Sequence, residues 1–144
     1  SACCVGYRIV LTAGGQHRTL CFATDTGVVT PQLRAAAQGA DFAILEANHD
    51  ENMLLAGPYP YPLKRRILSE CGHLSNESCA AFCAELVAAG CRKFLLAHLS
   101  EENNYPALAL QCVGGALREA GFSEGCEVAA AKPKETVVFH REFL

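Results

Sequence analysis

Four side chains able to do acid–base or metal chemistry stand where apolar runs stop or helices begin. Asp25 lies in Thr24-Asp25-Thr26-Gly27, Glu46 in Glu46-Ala47-Asn48-His49-Asp50, His73 in Gly72-His73-Leu74-Ser75-Asn76, and His98 opens His98-Leu99-Ser100-Glu101-Glu102-Asn103-Asn104. Carboxylates with imidazoles form a donor set suited to zinc, manganese or iron. Taken singly, each also has a structural reading, an acid in a turn or a histidine satisfied in the core. Their repetition in parallel contexts points to one site, which His49 can also reach. The triplet His-Leu-Ser occurs twice, at 73–75 and 98–100, ahead of expected helix starts. Unsatisfied amides and the helix dipole favour an anion there. Phosphate is the natural candidate, with Ser75, Asn76 and Ser100 to bind it or to cap the helices. Lys64-Arg65-Arg66, beside two tyrosines, can track a nucleic-acid backbone, although three charges on a helix equally describe a solvated face.

These residues need strands to carry them to one edge. Phe42 to Leu45 and Lys93 to Ala97 are too short and too uniformly apolar for amphipathic helices, and read as strands buried on both faces. Tyr7 to Leu11 and Thr19 to Thr24 read as an antiparallel pair around Gly14-Gly15. Helices are expected over Pro31 to Gln38, Leu63 to Ser69, from an Asn76 cap to Gly90, and from Tyr105-Pro106 to Gly121. Asp50 caps a turn through Met53 and Leu55, and Glu127 to Ala131 with Thr136 to His140 reads as a closing strand pair. Strands alternating with helices give an α/β fold, whose ligands lie beyond the carboxyl ends of the strands.

The chain has 144 residues, one domain by length, and a formal charge of −3, which provides no global attraction to nucleic acid or to an anionic membrane. No apolar stretch reaches the length of a membrane span and no leader stands at Ser1, so a soluble cytoplasmic protein is expected. Nine cysteines with no Cys-x-x-Cys pair read as reduced thiols. Cys79 and Cys83, with Phe82 and Leu86, form the apolar face of a helix.

In order and spacing, the four signatures resemble the C-terminal half of metallo-β-lactamase-fold hydrolases, closest to the bacterial YycJ-like branch, over about Gly6 to Gly121. The resemblance implies half of a four-layer αββα sandwich: a mixed sheet of five or six strands, helices on one face, residues 1–144 as a single unit. It implies that Asp25 bridges two metal ions, zinc or manganese, that His98 is a terminal ligand of one, and that Glu46 orients His73 to contact the scissile phosphate or protonate the leaving oxygen. The full enzyme it implies is a phosphodiesterase, most simply a nuclease, using a metal-bound hydroxide, with an esterase or lactonase of the same fold, or a non-catalytic assembly half, as alternatives. Further candidates for substrate contact are Ser75, Asn76, Ser100, His49, Lys64 and Arg65. The family's His-x-His-x-Asp-His motif is absent, since the chain contains no His-x-His. This chain alone is therefore expected to hold metal weakly and to be inactive. An uncovered sheet face is expected to take the N-terminal half or to self-associate.

Overall fold

The structure, a computed structural model, describes residues 4–139. Gly14 and Gly15 both have positive φ, at 56° and 78°, which permits a two-residue turn. The hairpin strands therefore run right up to it, as β1 (Gly6–Ala13) and β2 (Gln16–Ala23). Thr30 caps α1 (Pro31–Ala37) through Leu33 N–H, and the chain then enters β3 (Phe42–Glu46). Asp50 caps α2 (Glu51–Ala56) through Met53 N–H. The next helix, α3 (Tyr61–Leu68), starts two residues earlier than expected, because Pro62 is tolerated in its first turn, where no intrahelical bond is lost. Ser75, not Asn76, caps α4 (Asn76–Ala88), by accepting from Ser78 N–H. β4 (Lys93–Ala97), α5 (Pro106–Glu119) and β5 (Glu127–Ala130) follow.

The five strands lie in chain order in one sheet; β1 is antiparallel to β2 and the remaining pairs are parallel. The closing pair read from the sequence does not form. β5 takes its ladder from β4, while residues 136–139 form no strand; the chain after β5 makes one bridge, Lys132 to Glu135. Pro133 sits in the turn that this bridge closes. His140 lies outside the described residues.

Parallel register sorts the side chains onto two faces. Cys21, Ala23, Ala43, Leu45, Phe94 and Leu96 are buried on one face, against Ala37 of α1, Phe82, Cys83 and Leu86 of α4, and Val113 and Leu117 of α5. The opposite face carries Tyr7, Ile9, Leu20, Phe22, Phe42, Ile44 and Leu95, none of them fully buried. Tyr7 is 58% exposed and Ile9 41%. The inner strands are thus covered by helices on one side only, a correction to burial on both faces. Phe139 lies against Phe42, ring centroids 4.8 Å apart, and covers one corner of the open side.

Candidate functional site

Asp25 and His98 each stand just beyond the end of a parallel strand in the left-handed region, at φ 58° and 56°. Such a conformation suits Asp and His better than most residues, and it turns the chain sharply as the strand ends. Glu46 is the last residue of β3 and is 0% exposed. Its register places it on the same face as Ile44 and Phe42. His73 comes from the loop between α3 and α4. Glycines let that loop approach closely: a side chain at Gly72 would overlap the carbonyl of Ile67, and one at Gly27 that of Ser69. The end of α3 is thereby held between the loops that bear Asp25 and His73, and His73 N–H donates to the Ile67 carbonyl at 3.0 Å.

Glu46 organises the cluster. Its Oε1 accepts from Nδ1 of His73 at 2.7 Å and from Nδ1 of His98 at 2.6 Å, while Oε2 accepts from the backbone N–H of Thr26 at 3.2 Å and of Leu74 at 3.3 Å. Four donors on one carboxylate satisfy a charge that burial would otherwise make very costly. The pattern assigns the N–H to Nδ1 in both rings, which leaves each Nε2 free to act as a ligand or a base. Asp25 Oδ1 lies 3.6 Å from Nδ1 of His98 and 3.8 Å from Nδ1 of His73. Asp25, Glu46, His73 and His98 bring their ligand atoms within 4.8 Å of one another. The donor chemistry fits a divalent ion: an exposed carboxylate and an oriented imidazole as ligands, with Glu46 committed to hydrogen bonds behind them.

Asn48 ties the loops together, a role that sequence reasoning missed. Its N–H donates to Leu74 carbonyl at 2.9 Å, its own carbonyl accepts from Ser100 N–H at 2.7 Å, and its Nδ2 donates to the carbonyl of His98 at 2.8 Å. Its Oδ1 accepts from Nδ1 of His49 at 3.2 Å. The signal was its place inside the signature that carries Glu46. Asn104 was also missed: Asn76 and Asn104 exchange two amide bonds of 2.9 Å, and Asn104 Nδ2 also donates to Ala47 carbonyl at 2.9 Å.

Several proposed substrate contacts are therefore occupied elsewhere. His49, 1% exposed, and Asn76, 0% exposed, are core polar groups rather than surface ones, because their side chains bond Asn48 and Asn104. Burial lowers the pKa of His49. Ser75 spends its hydroxyl on capping α4. Lys64 donates from Nζ to the carbonyls of Leu55 at 2.6 Å and Gly57 at 2.7 Å, closing the end of α2. Arg65 is exposed, 5.9 Å from the Tyr61 ring centroid. Ser100 caps the turn at 101–103 through Asn103 N–H rather than a helix, since α5 begins only at Pro106. It lines, with His98, a groove of about 420 Å³.

Cys4 donates from Sγ to the backbone carbonyl of Asp25 at 2.6 Å, and the buried thiols lie in the core. All eight described cysteines are free. Burial pushes Cys91 and Cys112 up to about 11, and Cys83 is raised by its contact with Cys79 and by burial, so these sulfurs stay protonated and act as small apolar groups.

Residues 1–99 match the family described as Beta-lactamase superfamily domain. The chain is 40% identical over 120 residues to exodeoxyribonuclease YycJ of Bacillus anthracis, covering 82% of this chain and 46% of that protein. It is 39% identical over 104 residues to exodeoxyribonuclease WalJ of Streptococcus pneumoniae, covering 72% of this chain and 39% of that one. The chain thus spans less than half the length of the curated relatives it matches. Among the described residues, no helix is long and apolar enough to cross a membrane.

Proposed function

The chain belongs to the Beta-lactamase superfamily domain family, and on that premise we propose that it is the C-terminal half of a metal-dependent phosphodiesterase acting on DNA in the cytoplasm. The observation that carries this reading is Glu46, buried, with both imidazoles on one oxygen and Asp25 beside them. Zinc or manganese would be held by Asp25 and by Nε2 of His98. Bound there, a divalent ion would supply Lewis acidity toward the phosphate oxygens and the water that attacks phosphorus. Glu46, accepting from Nδ1–H of His98, would leave the Nε2 lone pair of that ring available to a metal. It fixes His73 in the same way, and His73 in its protonated form can give the Nε2 proton to the leaving oxygen.

Two ligands leave a coordination shell incomplete, and the uncovered face of the sheet runs to the same edge as the site. Both features support a missing half that packs on Tyr7, Ile9, Phe22, Ile44 and Leu95 and brings the remaining ligands. The names of the relatives support DNA as substrate, and Arg65 and Ser100 remain the candidates for holding it. The test is activity of the full-length polypeptide on DNA with zinc or manganese. Asp25→Ala is expected to abolish cleavage and lower metal content, whereas His73→Ala lowers turnover with metal content near normal. Equal metal loss in both variants overturns this division of roles.

A further inference from the structure

We propose that the groove beside His98 is a nucleoside subsite, receiving the base and sugar on one side of the scissile phosphodiester with the base stacked on Tyr105. The inference rests on the nuclease reading and adds a binding site to it. The groove, about 420 Å³, is lined by His98 and Ser100, by Tyr105 and Pro106 from the start of α5, and by Lys132 and Pro133 after β5. That volume falls in the range of roughly 300–1,000 Å³ typical of small-molecule sites. Because His98 belongs to both the groove and the cluster with Glu46 and Asp25, a group lying here would adjoin a phosphate at that cluster.

The walls suit a base better than an anion. Tyr105 and the two prolines offer flat apolar surface, whereas Glu101 stands in the same groove as Lys132 and offsets its charge. Lys132 also shares the carboxylate of Glu135, Nζ to Oε2 3.1 Å. Recognition therefore falls to the ring. Tyr105 is 51% exposed, yet its backbone is fixed. Its N–H donates at 3.0 Å to Oδ1 of Asn104, which is buried and paired with Asn76. An aromatic presented from a rigid base loses little freedom on binding, and stacking tolerates any base.

The experiment is a cycle in the full-length protein: wild type, Tyr105→Ala and Tyr105→Trp, each on single-stranded oligonucleotides that are intact or carry an abasic residue at either position flanking the cleaved bond. Tyr105→Ala is expected to lower kcat/KM on intact DNA by roughly 5- to 150-fold, mostly through KM, the range that base–aromatic stacking carries. On the oligonucleotide abasic at the stacked position it should change kcat/KM less than about twofold, since the partner is already gone. Tyr105→Trp should restore the intact substrate. Equal loss on intact and abasic DNA would make Tyr105 merely structural, and no loss on either would empty the groove; both overturn the subsite while leaving the nuclease reading in place. A wild-type protein that cleaves no DNA overturns both.

Discussion

Glu46→Gln changes one atom and should separate metal binding from folding. The native carboxylate accepts four hydrogen bonds, two from imidazole Nδ1–H on Oε1 and two from the backbone N–H of Thr26 and Leu74 on Oε2. A glutamine has one accepting oxygen and one NH₂, so two orientations compete. If the NH₂ faces Thr26 and Leu74, two buried donors lose their acceptor, at about 1–3 kcal/mol each. If it faces the histidines, each ring can move its proton to Nε2 and accept at Nδ1, keeping all four bonds. The second orientation costs less, so stability should fall by no more than about 1.5 kcal/mol, while the lone pair that would bind metal is replaced by an N–H. Metal affinity in the full-length protein is then expected to drop roughly 10- to 100-fold. Glu46→Ala instead strands every donor and should cost about 3–5 kcal/mol, a fall in Tm on the order of 10 °C. Nitrogen chemical shifts of the imidazoles, urea unfolding and metal titration read the three quantities. A glutamine variant that keeps Nδ1–H on both rings, with stability and metal affinity unchanged, would refute the assignment of Glu46 as the group that sets the tautomers.

Asn48→Ala removes the amide bonds to His98 carbonyl and to His49, and should cost about 1–3 kcal/mol; kcat is expected to fall with it, and urea unfolding with steady-state assays will show whether both move. His49 supplies a pH dependence: its pKa is lowered by burial, so below its ordinary value of about 6.5 the unfolded chain takes up a proton that the folded ring refuses. Stability is therefore full above that pH and falls as the pH drops through it; His49→Gln should flatten this part of the profile in urea titrations at several pH values, and an unchanged slope would count against the assignment. Sedimentation should find this chain alone self-associated through its open sheet face; Phe22→Lys with Ile44→Lys should disperse it, and a native chain that stays monomeric at high micromolar concentration would contradict that.

The alternation of strands and helices was legible because short apolar runs such as Phe42 to Leu45 differ in length and pattern from the helix that spaces Cys79, Phe82, Cys83 and Leu86. What failed was information carried by tertiary pairing. Val128 and Ala129 look like one arm of a hairpin, but the ladder they join belongs to β4, 34 residues upstream between Phe94 and Val128 in register. The strands seemed buried on both faces because their open side is as apolar as their covered side. Composition cannot tell a face packed against helices from one that waits for a partner, and only the alternation of burial along the inner strands, where Ala43, Leu45, Phe94 and Leu96 are sealed while Phe42, Ile44 and Leu95 are not, separates the two.

At the site, residue type located the four principal groups, and neighbours decided what each could do. Asp25, Glu46, His73 and His98 stood out because each ends or begins an element. Asn48 and Asn104 did not, since an asparagine in a loop signals only a turn, and nothing local reveals that Asn48 spans to residues 74, 98 and 100. The same blindness made His49 and Asn76 look like surface contacts when they are buried supports. Polar residues in such a signature thus divide into those left open and those that hold the loops, and burial sorts them: Asp25 and His98 keep their side chains open, while Glu46, His49 and Asn76 are buried. On that division the sealed groups should tolerate substitution only where the replacement rebuilds the hydrogen bonds. The open ones should tolerate anything that folding requires and nothing that metal binding forbids.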